Sequence, residues 1–383
     1  MSAQSERDIT HIFINGRFLS QRLSGVQRYA LETLFALDEL ISQGAVAATW
    51  RFTVLAPPGT PAPALRNIAF RAVGVLKGHA WEQLSLVRAA QGGLLLSFGP
   101  TGPLLKKHQI VTMHDAAVVA VPQAYSWQFR AFYRVALPIL ARRSAAIMTV
   151  SEFAKNEVIE NFGAPRERTH VSGEGWQHVK RFDADPRVLA KHGLRSKRYV
   201  LAVGNLAPHK NLAVIGEAVQ LLKGVDYDVV VAGGMDARVF GGGGDAPDRP
   251  SSVKLLGRVS DAELRSLYEH AGVFVFPSLY EGFGIPLLEA IAFQCPVISS
   301  NAAALPEVGG AGAKYFAPRD AAALARAIDA VMGAEHERNA LIAVGKAQLS
   351  RYSWRATALS HVAALEAALG ASAAERMFTS AYL

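Results

Sequence analysis

Cysteine is nearly absent: the 383 residues hold one, Cys295, in "AFQCPVISS". No disulfide can close within the chain, which suits a reducing compartment, and a small buried residue between helix and strand is expected there. No run of eighteen apolar residues occurs, so no membrane-spanning helix is expected. The opening "MSAQSERDITHIFING" passes from a short polar arm into a strand-like segment, without the order of a secretory leader. The expected location is therefore the cytoplasm. Zinc-type Cys/His spacing is missing, and "GGAGAK", Gly309–Lys314, lacks the spacing and the Ser or Thr of a nucleotide-hydrolysing phosphate loop. The D-x-D in "DADP", from Asp183 to Pro186, lies in an irregular crossover and reads as a solvated turn. No metal and no cofactor are expected. Basic residues are scattered, with no basic tail and no RNA-binding strand signature, so nucleic acid is not an expected partner.

What is present is length, apolar content and positive charge. Half of the residues are hydrophobic, enough for about two domains of roughly 150 to 200 residues. The formal charge of +8 attracts anions, which leaves phosphorylated metabolites and anionic lipid as candidate partners.

Apolar, β-branched runs alternate with helical patterns: "HIFIN", a helix from Val26 to about Ser42, "RFTVLAP", "LLLSF", "QIVTMHD", a long helix, "AAIMTVS" and another helix. After the irregular "HVSGEGWQHVKRFDADPRV" the rhythm restarts with "YVLAVGN", "DVVVAGG", "VKLLGRV", "GVFVFPS" and "CPVISSN". Such alternation stacks helices on both faces of a parallel sheet. The expected fold class is α/β, two doubly wound Rossmann-like domains at 1–190 and 198–365, with a tail at 366–383 packing back or fraying. Ser260 with Glu263 fits a capping box, and Ser151 and Gly163 read as the start and stop of one helix. "GGGGD", Gly241–Asp245, reads as a loop without assigned function. Two tandem domains of this kind leave a cleft, and ligands of open parallel sheets sit beyond the carboxyl ends of the strands.

The stretch "YEGFGIPLLEA", Tyr280–Ala290, follows the apolar strand "GVFVFPS". Gly282 and Gly284 allow close backbone approach, and Pro286 suits a first helical turn. N–H groups from Phe283 to Leu287, Ile285 among them, and the helix dipole would form an anion site. Glu281 and Glu289 should bracket the anion and hydrogen-bond hydroxyls, as in a nucleotide-diphospho-sugar; two helix-start acids stabilised by the dipole are the bland alternative. A second anion contact is expected where "YVLAVG" ends at Gly204, followed by Lys210 in "VGNLAPHKN". "VTMHDAA" ends another buried strand, which makes His114 a sugar-positioning candidate and Asp115 its orienter or an acceptor contact. Between Tyr125 and Arg143 aromatic and basic residues mix at helical spacing, as an anionic membrane surface would require; a core helix with solvated arginines is the alternative.

Together these stretches resemble the retaining glycosyltransferases of the GT-B architecture, family 4 (group 1). The resemblance rests on "EGFGIPLLEA", "GNLAPHKN", "LLGRVSDAELRSLY", "VTMHDAA", "VSEFAKNEV", "SGVQRYALETL" and "YSWRATA", nearly the full chain in order. "WEQLSLV" and "HD" look most like bacterial mannosyl- and rhamnosyltransferases of surface polysaccharide assembly, lipopolysaccharide included. The resemblance implies a nucleotide-sugar donor whose sugar meets Glu281 and His114, whose ribose meets Glu289, and whose diphosphate meets Lys210 and the backbone from Gly282 to Pro286. It implies further that Gly25 approaches the phosphates and that Arg258 and Val259 face the base. The implied acceptor is a saccharide or a polyprenyl-diphosphate-linked saccharide, met peripherally at the inner face of the cytoplasmic membrane. Two departures stand out. Asn205 occupies the place where many members carry an arginine, and "VSGEGWQHV" sets Glu174 and Trp176 at the end of the first domain. A nucleotide-sugar-binding regulatory or assembly subunit without chemistry, and an epimerase or phosphorylase on the same architecture, stand as alternatives.

Overall fold

The computed structural model describes residues 9–204, 207–222, 225–233 and 253–370. Two parallel sheets carry the fold. The first contains β1 (Thr10–Asn15), β2 (Trp50–Ala56), β3 (Ala69–Ala72), β4 (Leu94–Ser97), β5 (Gln109–Thr112), β6 (Ala146–Thr149) and β7 (Thr169–Val171), in the order β3-β2-β1-β4-β5-β6-β7. The second contains β8 (Tyr199–Gly204), β9 (Asp228–Gly233), β10 (Val253–Gly257), β11 (Val273–Phe276), β12 (Val297–Ser300) and β13 (Ala313–Phe316), in the order β10-β9-β8-β11-β12-β13. In each sheet the strand order reverses beside the first strand, between β1 and β4 and between β8 and β11, which is where a doubly wound sheet opens a ligand crevice.

The central strands are buried on both faces. In the first unit Val111 and Ile147 pack under Leu137, Leu140, Val158 and Phe162. In the second, Val200, Val229 and Ile298 pack under Ile215, Leu324 and Ile328. Helix punctuation follows side-chain chemistry: Ser260 and Glu263 exchange both bonds of a capping box. Ser151 accepts from Ala154 N, and Gly163 ends that helix at φ 66°. Cys295 is buried, and desolvation pushes its thiol up to about 12, so it is inert packing as expected.

The division of the chain differs from the limits read from sequence. Among the described residues, the first compact unit holds 9–119, 127–175 and 354–370, and the second holds 120–126 and those of 176–353. The helix Trp354–Leu369, placed by sequence order in the second domain, lies in the first because it buries Trp354 and His361 beside Tyr29. The tail beyond residue 370 and the loop 241–245 lie outside the described residues. "DADP" is a surface turn in which Asp185 pairs with exposed Arg187. No group of three or more His, Cys, Asp or Glu side chains among the described residues is arranged to hold a metal. No helix among them is long and apolar enough to cross a membrane.

Candidate active site

In the second unit the loops after β8 and β11 meet. The chain leaves β8 at Gly204, turns through Pro208–Lys210, and reverses at Asn211, held at φ 54° while its side chain donates to the carbonyls of Pro277 and Pro318. Leu279 N donates to His209 O at 2.7 Å, which ties this turn to the loop after β11. Lys210 is thereby fixed over that loop, its Nζ 2.6 Å from Glu281 Oε1, an oxygen that also accepts from Ser278 Oγ at 2.7 Å. The side chains of Lys210 and Glu281 are 19% and 13% exposed, so the pair is preformed yet open to a ligand.

Gly284 caps the helix Ile285–Ala292 at φ 108°, and a Cβ there would stand 2.8 Å from Leu305 Cδ2. Only glycine takes that conformation and that space at once. The anion site is narrower than the sequence reading had it. Pro286 has no N–H, and Leu287 N is turned onto Gly284 O at 3.0 Å. The N–H groups of Phe283, Gly284 and Ile285 have no protein acceptor among the described residues, and Gly282 precedes them in the same loop.

Glu289 stands apart from Glu281. It is buried, with Oε1 2.9 Å from His178 Nε2 and Oε2 accepting from Tyr268 OH at 3.1 Å. Both carboxylate oxygens thus already face protein partners. Arg258 is exposed and Val259 half-buried immediately after β10. Asn205 lies outside the described residues. Sequence reading missed His178, Tyr268 and Ser278; only Ser278 had a signal, its place beside Glu281 in "FPSLYEGFG".

In the first unit, His114 follows β5 and is buried. Its Nε2 lies 3.2 Å from Phe98 O, its Nδ1 lies 3.6 Å from Glu174 Oε1, and its ring meets Tyr29 edge-on at 4.7 Å. Glu174, a departure from the family pattern, therefore sits against the one histidine singled out from sequence. Tyr29 OH is hydrogen-bonded to Ser172 Oγ at 2.8 Å and to His361 Nε2 at 2.7 Å. Burial above all drives His361 down to about 3, so it is neutral in the folded protein. Asp115 accepts from Ala117 N at 2.8 Å and so opens the short helix Ala117–Ala120. Gly25 is the first residue of the helix Gly25–Ser42; a Cβ there meets no described atom within 4 Å.

A second ionic cluster was not singled out from sequence. Glu82 is fully buried in a π-helical stretch, Trp81–Leu86. Its Oε1 accepts from Asn15 Nδ2 at 3.0 Å and Thr101 Oγ1 at 2.7 Å; its Oε2 accepts from Arg17 Nη1 at 2.8 Å and lies 3.0 Å from His79 Nδ1. Burial pushes the Glu82 carboxyl up, but the bonds from His79, Asn15 and Thr101 and the Arg17 charge outweigh it and hold the group below its ordinary range. Arg17 comes from the turn Gly16–Ser20, which lies directly on β2 because a Cβ at Gly16 would stand 2.7 Å from Leu55 O. The cluster floors a cavity of about 360 Å³ whose other walls include Phe98, Phe129 and Tyr133.

Comparison with known proteins follows the same division. Residues 186–348 match the family model described as glycosyl transferases group 1. The chain is 31% identical over 253 residues to the O-antigen chain mannosyltransferase B of Escherichia coli, covering 64% of this chain and 66% of that protein. It is 26% identical over 320 residues to the O-antigen chain mannosyltransferase RfbU of Salmonella typhimurium, covering 81% of this chain and 87% of that one. Among solved structures, the sucrose-phosphate synthase of Thermosynechococcus elongatus superposes with a TM-score of 0.72 at 17% identity, over 95% of this chain and all of that one. That likeness speaks for the fold, a GT-B pair of Rossmann-like domains.

Proposed function

From the premise that this chain belongs to the glycosyl transferases group 1 family through residues 186–348, we propose that it is a retaining, metal-independent hexosyltransferase. It moves mannose or a related sugar from a nucleotide-diphospho-sugar to a saccharide acceptor. The observation that carries this reading is the preformed Lys210–Glu281 pair, set beside the uncommitted N–H groups of Phe283, Gly284 and Ile285 at the carboxyl ends of β8 and β11.

The chemistry follows from charge. As the bond between the anomeric carbon and the phosphate oxygen breaks, negative charge grows on the nucleoside diphosphate, and Lys210 with the three N–H groups opposes it in a site already organised for the purpose. Glu281, an acceptor-only group, takes hydroxyl hydrogens of the sugar. The acceptor oxygen bonds to the same face of the anomeric carbon, and its proton passes to the departing phosphate oxygen, so no protein nucleophile is required. Glu289, oriented by His178 and Tyr268, is assigned to the ribose hydroxyls, and His114 to positioning the sugar.

The relatives named for O-antigen mannosyl transfer support a lipid-linked glycan as the acceptor. The helix Trp127–Arg143 supports contact with an anionic membrane, for it exposes Trp127, Val135, Arg134, Arg142 and Arg143. A thermal-shift screen of GDP-mannose, UDP-sugars and dTDP-sugars tests the donor, since a ligand bound only by the native state raises its melting temperature. One donor should stabilise the protein and be consumed with a mannosyl-terminated acceptor. Stabilisation without consumption across a broad acceptor panel would favour the regulatory alternative, and no stabilisation by any donor would sink the reading.

A further inference from the structure

The two oxygens of Glu281 are treated differently by the protein. Oε1 accepts twice, from Ser278 Oγ at 2.7 Å and from Lys210 Nζ at 2.6 Å. Oε2 makes no hydrogen bond to any described residue, in a side chain that is 13% exposed. Ser278 itself is fully buried. Its stretch of loop is fastened without help from the hydroxyl: Pro277 O accepts from Asn211 Nδ2 at 3.0 Å, Leu279 N donates to His209 O at 2.7 Å, and Ser278 O accepts from Ser300 Oγ. Glu281 is fastened at its own main chain as well, where its carbonyl accepts from Ala304 N at 3.3 Å.

A hydroxyl that its own loop does not need serves the carboxylate instead. An O–H donated to an ionised carboxylate is charge-assisted and roughly twice as strong as a neutral bond. The Ser278 oxygen stands one carbon from a fixed main chain, so it has little freedom to follow a moving partner. Lys210 is the opposite kind of anchor, a flexible four-carbon stem ending in three donors, of which one is spent on Glu281. An arriving diphosphate draws that ammonium toward itself, and a carboxylate held by the lysine alone would swing with it. With Ser278 on Oε1 the carboxylate stays in place, and Oε2 remains available to accept a sugar hydroxyl. Side chains that hold a recognition group at its angle matter in this way because a misplaced acceptor loses most of its selectivity.

We propose that Ser278 is a positioning residue for sugar recognition: it fixes Glu281 through Oε1, so that Oε2 reads the donor's sugar even when Lys210 has turned to the phosphates. This role rests on the hexosyltransferase reading of Lys210 and Glu281, and it divides the labour between the two carboxylate oxygens. Ser278 touches no substrate and acts only through Glu281.

The test is a double-mutant cycle read by calorimetry on the full chain, with wild type, Ser278→Ala, Glu281→Ala and the double variant, and with melting curves to confirm folding. The probes are GDP with GDP-mannose, UDP with UDP-glucose, and dTDP with dTDP-rhamnose. The quantity read is the affinity for the nucleotide-sugar divided by that for its own diphosphate, which a general loosening of the loop would leave unchanged. For the pair that binds wild type, Ser278→Ala should lower this ratio fivefold or more, and the same substitution in the Glu281→Ala background should shift it less than twofold. A fall of less than fivefold in the first background, or an equal fall in both, would overturn the role of Ser278. Ser278→Cys, of nearly the same shape but a weaker donor, should lower the ratio by at least twofold, and it carries the test if Ser278→Ala does not fold. Failure of all six nucleotides to bind wild type would remove the hexosyltransferase reading and this role with it, whereas binding with an unchanged ratio removes the role alone.

Discussion

Two ion pairs, one in each unit, are built from the same parts and lie at opposite ends of a scale. Lys210–Glu281 joins two loops that follow neighbouring strands, and both side chains keep some exposure. Arg17–Glu82 joins a turn after β1 to a π-helical stretch 65 residues later, and Glu82 has no exposure at all. In the first pair the charges can be re-partnered by a ligand at little desolvation cost. In the second the carboxylate is locked by four protein groups, so it serves the geometry of Arg17 and is unavailable to a ligand itself. The difference teaches that an ion pair's role follows from how many of its hydrogen-bonding positions the protein has already filled.

The sharpest break between the two should come from deleting the carboxylates. Glu82→Ala leaves Arg17, Asn15 and Thr101 facing a void and should cost about 3 to 5 kcal/mol in urea unfolding. Glu281→Ala lets Lys210 turn to water and should cost under about 1 kcal/mol. Equal losses would erase the distinction. The reverse asymmetry is expected in catalysis: Lys210→Ala should lower kcat/KM for transfer by about 10² to 10³, the range for removing a transition-state donor, with the melting temperature nearly unchanged.

Glycines sharpen the same contrast. Gly284→Ala imposes both a left-handed conformation and a clash with Leu305, and should destabilise by about 1 to 3 kcal/mol in thermal unfolding. Gly25→Ala meets no described atom, so its stability should stay within about 0.5 kcal/mol; a fall in transfer without a fall in stability would mark a ligand passing close to Gly25.

The remaining effect is a slope. His361 is neutral when folded, at about 3, against 6.5 ordinarily, so below pH 6.5 the unfolded chain binds a proton that the folded one refuses. Its contribution is full above 6.5 and is lost, by about 1.4 kcal/mol per pH unit, as pH falls toward 3. His361→Gln should flatten the stability profile of the wild type over that window by this amount, and parallel profiles would refute the assignment.

Much of this was legible in the chain, for reasons that also mark where reading stops. Central strands such as "VFVF" and "LLLS" are buried on both faces and therefore almost wholly apolar. The strands that escaped, β3 "AFRA", β7 "THV" and β13 "AKYF", are edges of their sheets, where burial on fewer sides dilutes the pattern. Lys210 and Glu281 were readable because each follows a strand within a glycine-containing loop. Arg17 and Glu82 were not, because nothing local in "NGRFL" or "WEQLSL" tells that the two stretches meet. The pairing of Glu289 with His178, 111 residues apart, was hidden for the same reason. The return of Trp354–Leu369 to the first unit also depends on contacts distant in sequence, those of Trp354 and His361 with Tyr29.

The central claim is that Lys210, set over Glu281, holds a nucleoside diphosphate. Calorimetric titration of GDP, UDP and dTDP into wild type and Lys210→Ala tests it most directly. At least one diphosphate should bind wild type and lose tenfold or more in affinity for the variant, while the corresponding nucleoside without phosphates changes little. Equal diphosphate affinity in the two proteins would contradict the account.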